Sequence, residues 1–211
     1  MPVKTNEREY RRLNSETIKL NDESYIVEGY ATTFDNEYLL FDDGEYRVME
    51  SIDAGAFANA DMSDVIMQYD HQGRVFARNR NNTLTLETDE HGLKIRADLG
   101  GTEIGRQLYE EIKGGYTDRM SWGFTAQTKE DVWTEEKDEA SHKTIMHRKI
   151  MAINKIFDVS AVSLPANDAT EISARSCGEG AIEAARQELA AIAERKRKIQ
   201  RIKLLMEVEN K

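Results

Sequence analysis

Apolar and polar residues alternate through much of the chain, with the period of strands rather than helices. The pattern is clearest between residues 84 and 99. Leu84 and Leu86 alternate with polar neighbours, and so do Leu93, Ile95, Ala97 and Leu99. A Gly-containing segment at 89–92 separates the two runs, which together predict a β-hairpin. Similar strand material lies at 24–34, 46–53, 119–128 and 153–164, with Tyr25, Val27 and Phe34 as β-formers and Gly29 as a candidate bulge. In 119–128, alternation puts Met120, Trp122, Phe124 and Ala126 on one face and Ser121, Gly123 and Thr125 on the other. The first face reads as core. The second reads as small and open, with room for an extended peptide to reach the Ser121 hydroxyl.

Two stretches carry a helical period. After Thr102, a plausible N-cap, Ile104, Leu108 and Ile112 form one apolar stripe that Gly114 and Gly115 stop. From about Ser176 the composition changes to a short linker and then to an Ala/Glu/Lys/Arg-rich segment without a breaker after Gly180. There Ile182, Ala185, Leu189, Ile192, Ile199 and Met206 make a coiled-coil-like stripe, with Lys196 and Lys203 on its seam. Residues 1–22 are polar without a sustained period and read as an arm or a short helix. The acidic segment 35–46 reads as a solvated loop, because Asp42, Asp43 and Glu45 lack the spacing of an EF-hand. Residues 128–143 read as a long loop or an extended hairpin. The expected organisation is an N-terminal arm (1–22), a main domain (23–175), and a linker with a C-terminal helical tail (176–211). Many short strands with few helices predict an α+β, mainly β class built on a barrel or sandwich.

Composition removes several classes of function. The chain has 211 residues and a net charge of −10, with +2 in residues 179–211 and therefore −12 in the rest. A duplex-binding domain is normally basic, so the body is not a nucleic-acid clamp, although the basic tail leaves a nucleic-acid-associated protein as one alternative. A single cysteine, Cys177, allows neither an internal disulfide nor a Cys-rich zinc site. No apolar run approaches the ~20 residues of a membrane span, and the N-terminus lacks a signal-peptide core, so the expectation is a soluble, cytoplasmic protein.

Three residues could carry chemistry together. His71 ends the apolar run VIMQYDH at 65–71, where side chains emerge at a sheet rim. Ser121 lies on the small face of its strand, outside any GxSxG elbow. Asp158 stands inside the apolar run KIFDVSAVSL, where a carboxylate needs a partner, and a histidine is a suitable one. Their order, His–Ser–Asp, matches none of the three familiar serine-hydrolase orders. Of the other histidines, His91 falls in the hairpin turn, while His142 and His147 fall in or after the charged stretch.

YDHQG (69–73), SWGF (121–124) and FDVSAVSLPAND (157–168) resemble the three signature blocks of the prohead (capsid maturation) proteases of tailed phages. GYATTF (29–34) and ESIDAGAF (50–57) fit as supporting blocks, so the resemblance spans roughly residues 24–170. That family is related to the herpesvirus assemblins, serine proteases built on a β-barrel flanked by helices. The resemblance implies His71 as general base and Ser121 as nucleophile, with Asp158 favoured as third member and His147 as its competitor, since assemblins use a second histidine. It implies no cofactor. The implied substrates are the scaffold-like region of the major capsid protein and the protease itself, inside the assembling prohead in the host cytoplasm. A non-catalytic assembly or scaffolding protein on the same fold is the rival reading.

Overall fold

The computed structural model describes residues 8–13, 18–21, 24–42 and 45–162. Within them the chain forms thirteen strands and one α-helix, a mainly β fold. The strands are β1 (Glu9–Leu13), β2 (Lys19–Asn21), β3 (Ile26–Thr33), β4 (Tyr38–Asp42), β5 (Tyr46–Ile52), β6 (Ile66–Tyr69), β7 (Gln72–Arg78), β8 (Leu84–Thr88) and β9 (Gly92–Asp98). After helix α1 (Glu103–Lys113) come β10 (Arg119–Ala126), β11 (Val132–Asp138), β12 (Lys143–Ile150) and β13 (Ile153–Val162). The linker and helical tail expected over 176–211 lie outside the described residues. Among the described residues no helix is long and apolar enough to cross a membrane.

The strands make three sheets: β1-β10-β13-β6-β7, β11-β12-β5-β4 and β2-β3-β9-β8. None of the three closes on itself among the described residues, in contrast to the barrel expected. Each ends in two strands paired on one side only. Closure is replaced by packing, because strands of all three sheets contribute to one apolar core. β10 sits at its centre and is buried on both faces. Trp122 and Phe124 are fully buried and stack with centroids 4.0 Å apart, and Phe57 leans on Trp122 at 5.4 Å. Each such side chain contributes roughly 1.5–3 kcal/mol by leaving water.

Local chemistry explains the boundaries. The Asp89 carboxylate accepts the N–H groups of His91 and Gly92, closing the β8–β9 turn. Thr102 Oγ1 accepts the Gly105 N–H at 3.0 Å and caps α1. The buried side of α1 is Gly105, Leu108, Tyr109 and Ile112, so the stripe is broader than Ile104, Leu108 and Ile112 suggested. The bulge in β3 falls between Tyr30 and Thr32 rather than at Gly29. β11 and β12 form the extended hairpin, and β4 occupies part of the segment read as a loop. Two strands, β1 and β2, lie where the polar N-terminus suggested an arm or a short helix. They form because β10 and β3 offer them an edge.

β1 is fastened by charge rather than by apolar burial. Arg11 bonds Glu50 through two nitrogens and Glu9 at 2.5 Å. Arg148, from β12, reaches Glu50 at 2.8 Å, Glu9 at 2.9 Å and Asp131 at 2.7 Å. The Tyr38 hydroxyl donates to Glu50 at 2.6 Å. Burial alone would raise the Glu9 and Glu50 carboxyls, but Arg11 and Arg148 outweigh it, lowering Glu50 and holding Glu9 at about 2. Burial pushes Asp131 up, and Arg148 only partly offsets it.

A group whose folded pKa lies below its unfolded value stabilises the fold above the unfolded value and loses that contribution as pH falls. Glu9 and Glu50 act in this sense, and Asp131 acts in the opposite one. Stability should therefore decline as pH falls from the ordinary value of 4.5 toward the Glu9 value of about 2. Urea midpoints measured across that range should show the decline, with a shallower slope in Glu9→Gln. Removing the buried Glu50 carboxylate by Glu50→Ala should cost about 3–5 kcal/mol at neutral pH, because two guanidinium groups lose a buried partner.

Candidate active site

The face of β10 opposite the aromatic core is where three sequence-selected residues meet. Ser121 pairs in register with Ser160 of β13, and Gly123 pairs with Asp158. Alternation therefore brings Ser121, Gly123, Asp158 and Ser160 onto one face. β6 joins β13 on its far side, and the two-residue turn after β6 delivers His71 over that face.

The turn is strained. Asp70 and His71 have φ of 46° and 59°, the left-handed region that L-residues enter at a cost of roughly 1–2 kcal/mol each. Tyr69 pairs with Gln72, so these two are the central residues of a hairpin turn of the mirror type. Hydrogen bonds to β13 hold the turn in place: the Asp70 N–H donates to the Ala161 carbonyl at 3.0 Å and the His71 N–H to Ser160 Oγ at 3.2 Å.

The side chains then form a chain of short contacts. Ser121 Oγ lies 2.6 Å from His71 Nε2, and His71 Nδ1 lies 2.5 Å from Asp158 Oδ2. The carboxylate acceptor fixes the proton on Nδ1 and makes Nε2 the acceptor of the Ser121 hydroxyl. Asp158 has no exposure to water. Its Oδ2 also accepts the Ser160 hydroxyl at 2.9 Å, and its Oδ1 pairs with the Arg8 guanidinium. Gly123 leaves space for this carboxylate. A Cβ there would overlap Asp158 Oδ1 and come within 2.9 Å of Arg8 Nε and the Tyr10 ring.

The face expected to be open is closed. Ser121 is only 2% exposed. Its hydroxyl has a second acceptor, the Arg11 carbonyl at 2.8 Å, and the Tyr10 ring lies 4.3 Å from that of His71. Pattern reading missed these contacts because a polar N-terminus gives no sign of which strand edge it will join. Ser160 was legible in principle, standing two residues after Asp158 and so on the same face.

The remaining histidines lie apart from this cluster. His147 on β12 contacts Glu37 at 2.6 Å and Glu136 at 3.5 Å, and lines an open groove of about 450 Å³ with Glu135 and Lys149. His91 packs edge-on to Tyr30. His142 sits in the exposed β11–β12 turn. Among the described residues, no cluster of three or more His, Cys, Asp or Glu is arranged to hold a metal ion.

The family model described as caudovirus prohead serine protease matches residues 11–184, most of the chain and all three clustered residues. No curated protein and no solved structure matches the chain.

If Gly123 is glycine to admit the Asp158 carboxylate, Gly123→Ala should fold with a loss of about 1–3 kcal/mol from overpacking and should displace Asp158 from His71. Proton NMR should then lose the strongly downfield His71 Nδ1–H signal expected of the parent protein. Retention of that signal would show that the strand yields instead.

Proposed function

The chain belongs to the caudovirus prohead serine protease family, and from that premise we propose that His71, Ser121 and Asp158 carry out peptide hydrolysis by acyl transfer. The observation that supports this reading is the continuous run of contacts from Ser121 Oγ through the His71 ring to Asp158 Oδ2, at 2.6 and 2.5 Å. His71 Nε2 takes the Ser121 proton as Oγ bonds to the scissile carbonyl carbon. The proton then passes to the leaving amine as the C–N bond breaks. Water, deprotonated by the same nitrogen, attacks the acyl ester, and Ser121 regains its proton. Asp158 stabilises the imidazolium that forms in each half-reaction and stays ionised throughout.

Family membership makes this a capsid-maturation protease whose place of action is the assembling capsid in the host. The finer assignment is that it cleaves the scaffold-like region of the major capsid protein and also itself, with residues 180–211 serving incorporation into the shell. Ser160 is a positioning residue in this scheme, since its one hydroxyl bonds both the Asp158 carboxylate and the His71 backbone.

The test is co-expression with the cognate capsid protein, read by intact mass. Ser121→Ala should abolish cleavage of the capsid protein and of the chain itself while leaving the fold intact. Asp158→Asn should cost on the order of 10⁴-fold, as the wrong histidine tautomer does in the serine-protease type example. His147→Ala should be mild. The burial of Ser121 favours the second reading, a non-catalytic assembly protein on the same fold, and undiminished processing by Ser121→Ala would support it.

A further inference from the structure

One short segment touches all three proposed catalytic residues. β1 runs antiparallel along β10, with Arg12 opposite Ser121 and Tyr10 opposite Gly123. Arg8, just before β1, pairs with Asp158, and Tyr10 lies against His71. Glu9 and Arg11 point the other way, into the buried cluster with Glu50 and Arg148. The Arg11 carbonyl accepts from the Ser121 hydroxyl at 2.8 Å, and Ser121 keeps 2% of its exposure. Arg8, Glu9 and Tyr10 also lie before the family match, which begins at residue 11.

This geometry resembles a bound peptide held in an unproductive way. The Ser121 hydroxyl carries one proton and has two acceptors, His71 Nε2 at 2.6 Å and the Arg11 carbonyl at 2.8 Å. In an acyl-transfer complex the carbonyl carbon faces the nucleophile, and its oxygen lies against N–H donors. Arg11 instead offers its oxygen to the hydroxyl. A substrate carbonyl cannot reach Ser121 while β1 is in place.

We infer that the outer edge of β10 is the docking edge for the extended substrate, and that β1 is its intramolecular occupant. The inference rests on the protease reading above. The substrate segment adds to β10 as an antiparallel strand in place of residues 9–13, using the main-chain pairing that edge strands offer to extended peptides. The identity of β1 indicates what fits. Its inward pair, Glu9 and Arg11, is neutral in sum, so its withdrawal leaves Arg148 still facing Glu50 and Asp131. A segment carrying an acid and a base two residues apart restores those ion pairs and leaves the net charge of the cluster unchanged. A segment with two like charges at these positions leaves a buried ion without a partner and is rejected.

The experiment measures fluorophosphonate labelling of Ser121 in the full chain by intact mass, beside cleavage of co-expressed capsid protein. Two double variants loosen β1 from opposite sides. Arg8→Ala with Tyr10→Ala removes its contacts to the site, and Glu9→Gln with Arg11→Met removes its buried charges in balance. Both should label at least ten-fold faster than the parent. A synthetic peptide of residues 8–13 should slow the loosened variants again, and the same peptide with lysine at positions 9 and 11 should not. If the Glu9/Arg11 variant fails to fold, the Arg8/Tyr10 variant decides. Labelling of the folded Arg8/Tyr10 variant at or below the parent rate, with capsid cleavage intact, would overturn the inference and leave the protease reading standing. Absence of both labelling and cleavage in every protein would overturn the protease reading, and the inference with it.

Discussion

A carboxylate wholly removed from water survives only where donors converge on it, and much of the site's construction follows from satisfying that requirement at Asp158. Three side chains from three places in the chain meet its two oxygens: the His71 ring, the Ser160 hydroxyl and the Arg8 guanidinium. Desolvation of an ion is costly enough that the donors supplied within the sheet, the His71 ring and the Ser160 hydroxyl, must be held in place. Gly123 makes room, β13 supplies Ser160 from the same face, and a left-handed turn is tolerated because it delivers the ring. Strain in the Asp70–His71 turn is thus offset by the hydrogen bonds that tie it to β13.

The aromatic face of β10 and its β1 edge are held by different forces. Beneath it, Trp122 and Phe124 anchor the sheets through apolar burial, which is insensitive to direction. Beside it, β1 is attached by a cluster of ions whose partners are specific and whose balance depends on pH. Its inward pair, Glu9 and Arg11, sums to zero, so β1 can leave without changing the net charge of that cluster.

Alternation made most of the sheet legible. The β8–β9 hairpin, β3, β5, β10, β13 and α1 all announce themselves through period and turn chemistry, because each buries at least one face against the core. β1, β2 and β4 did not, since they are edge strands whose exposed or charged faces break the pattern. Their placement depends on partners far away in the sequence, such as Arg11 with Glu50 and Arg148. The same limit applies to the site. Ser121, His71 and Asp158 could be singled out one by one, from a small face, a rim and an apolar run. The closure over them was not legible, because nothing in a polar N-terminus says which edge it will fill. Closure was not legible for a related reason: alternation predicts strands and faces but not whether the last edge meets the first, and among the described residues no sheet closes.

The order of strands in the first sheet sets when the site can exist at all. Ser121 and His71 lie on elements that never pair directly, because β13 stands between β10 and β6. β13 is also the last strand of the described chain. A nascent polypeptide that has already emerged through residue 150 therefore holds a serine and a histidine but no surface on which they meet. Contacts this distant in sequence form slowly and late in folding. Until the final strand slots into the middle of the sheet, Ser121, His71 and Asp158 stay apart, and they can assemble only once synthesis of this region is complete.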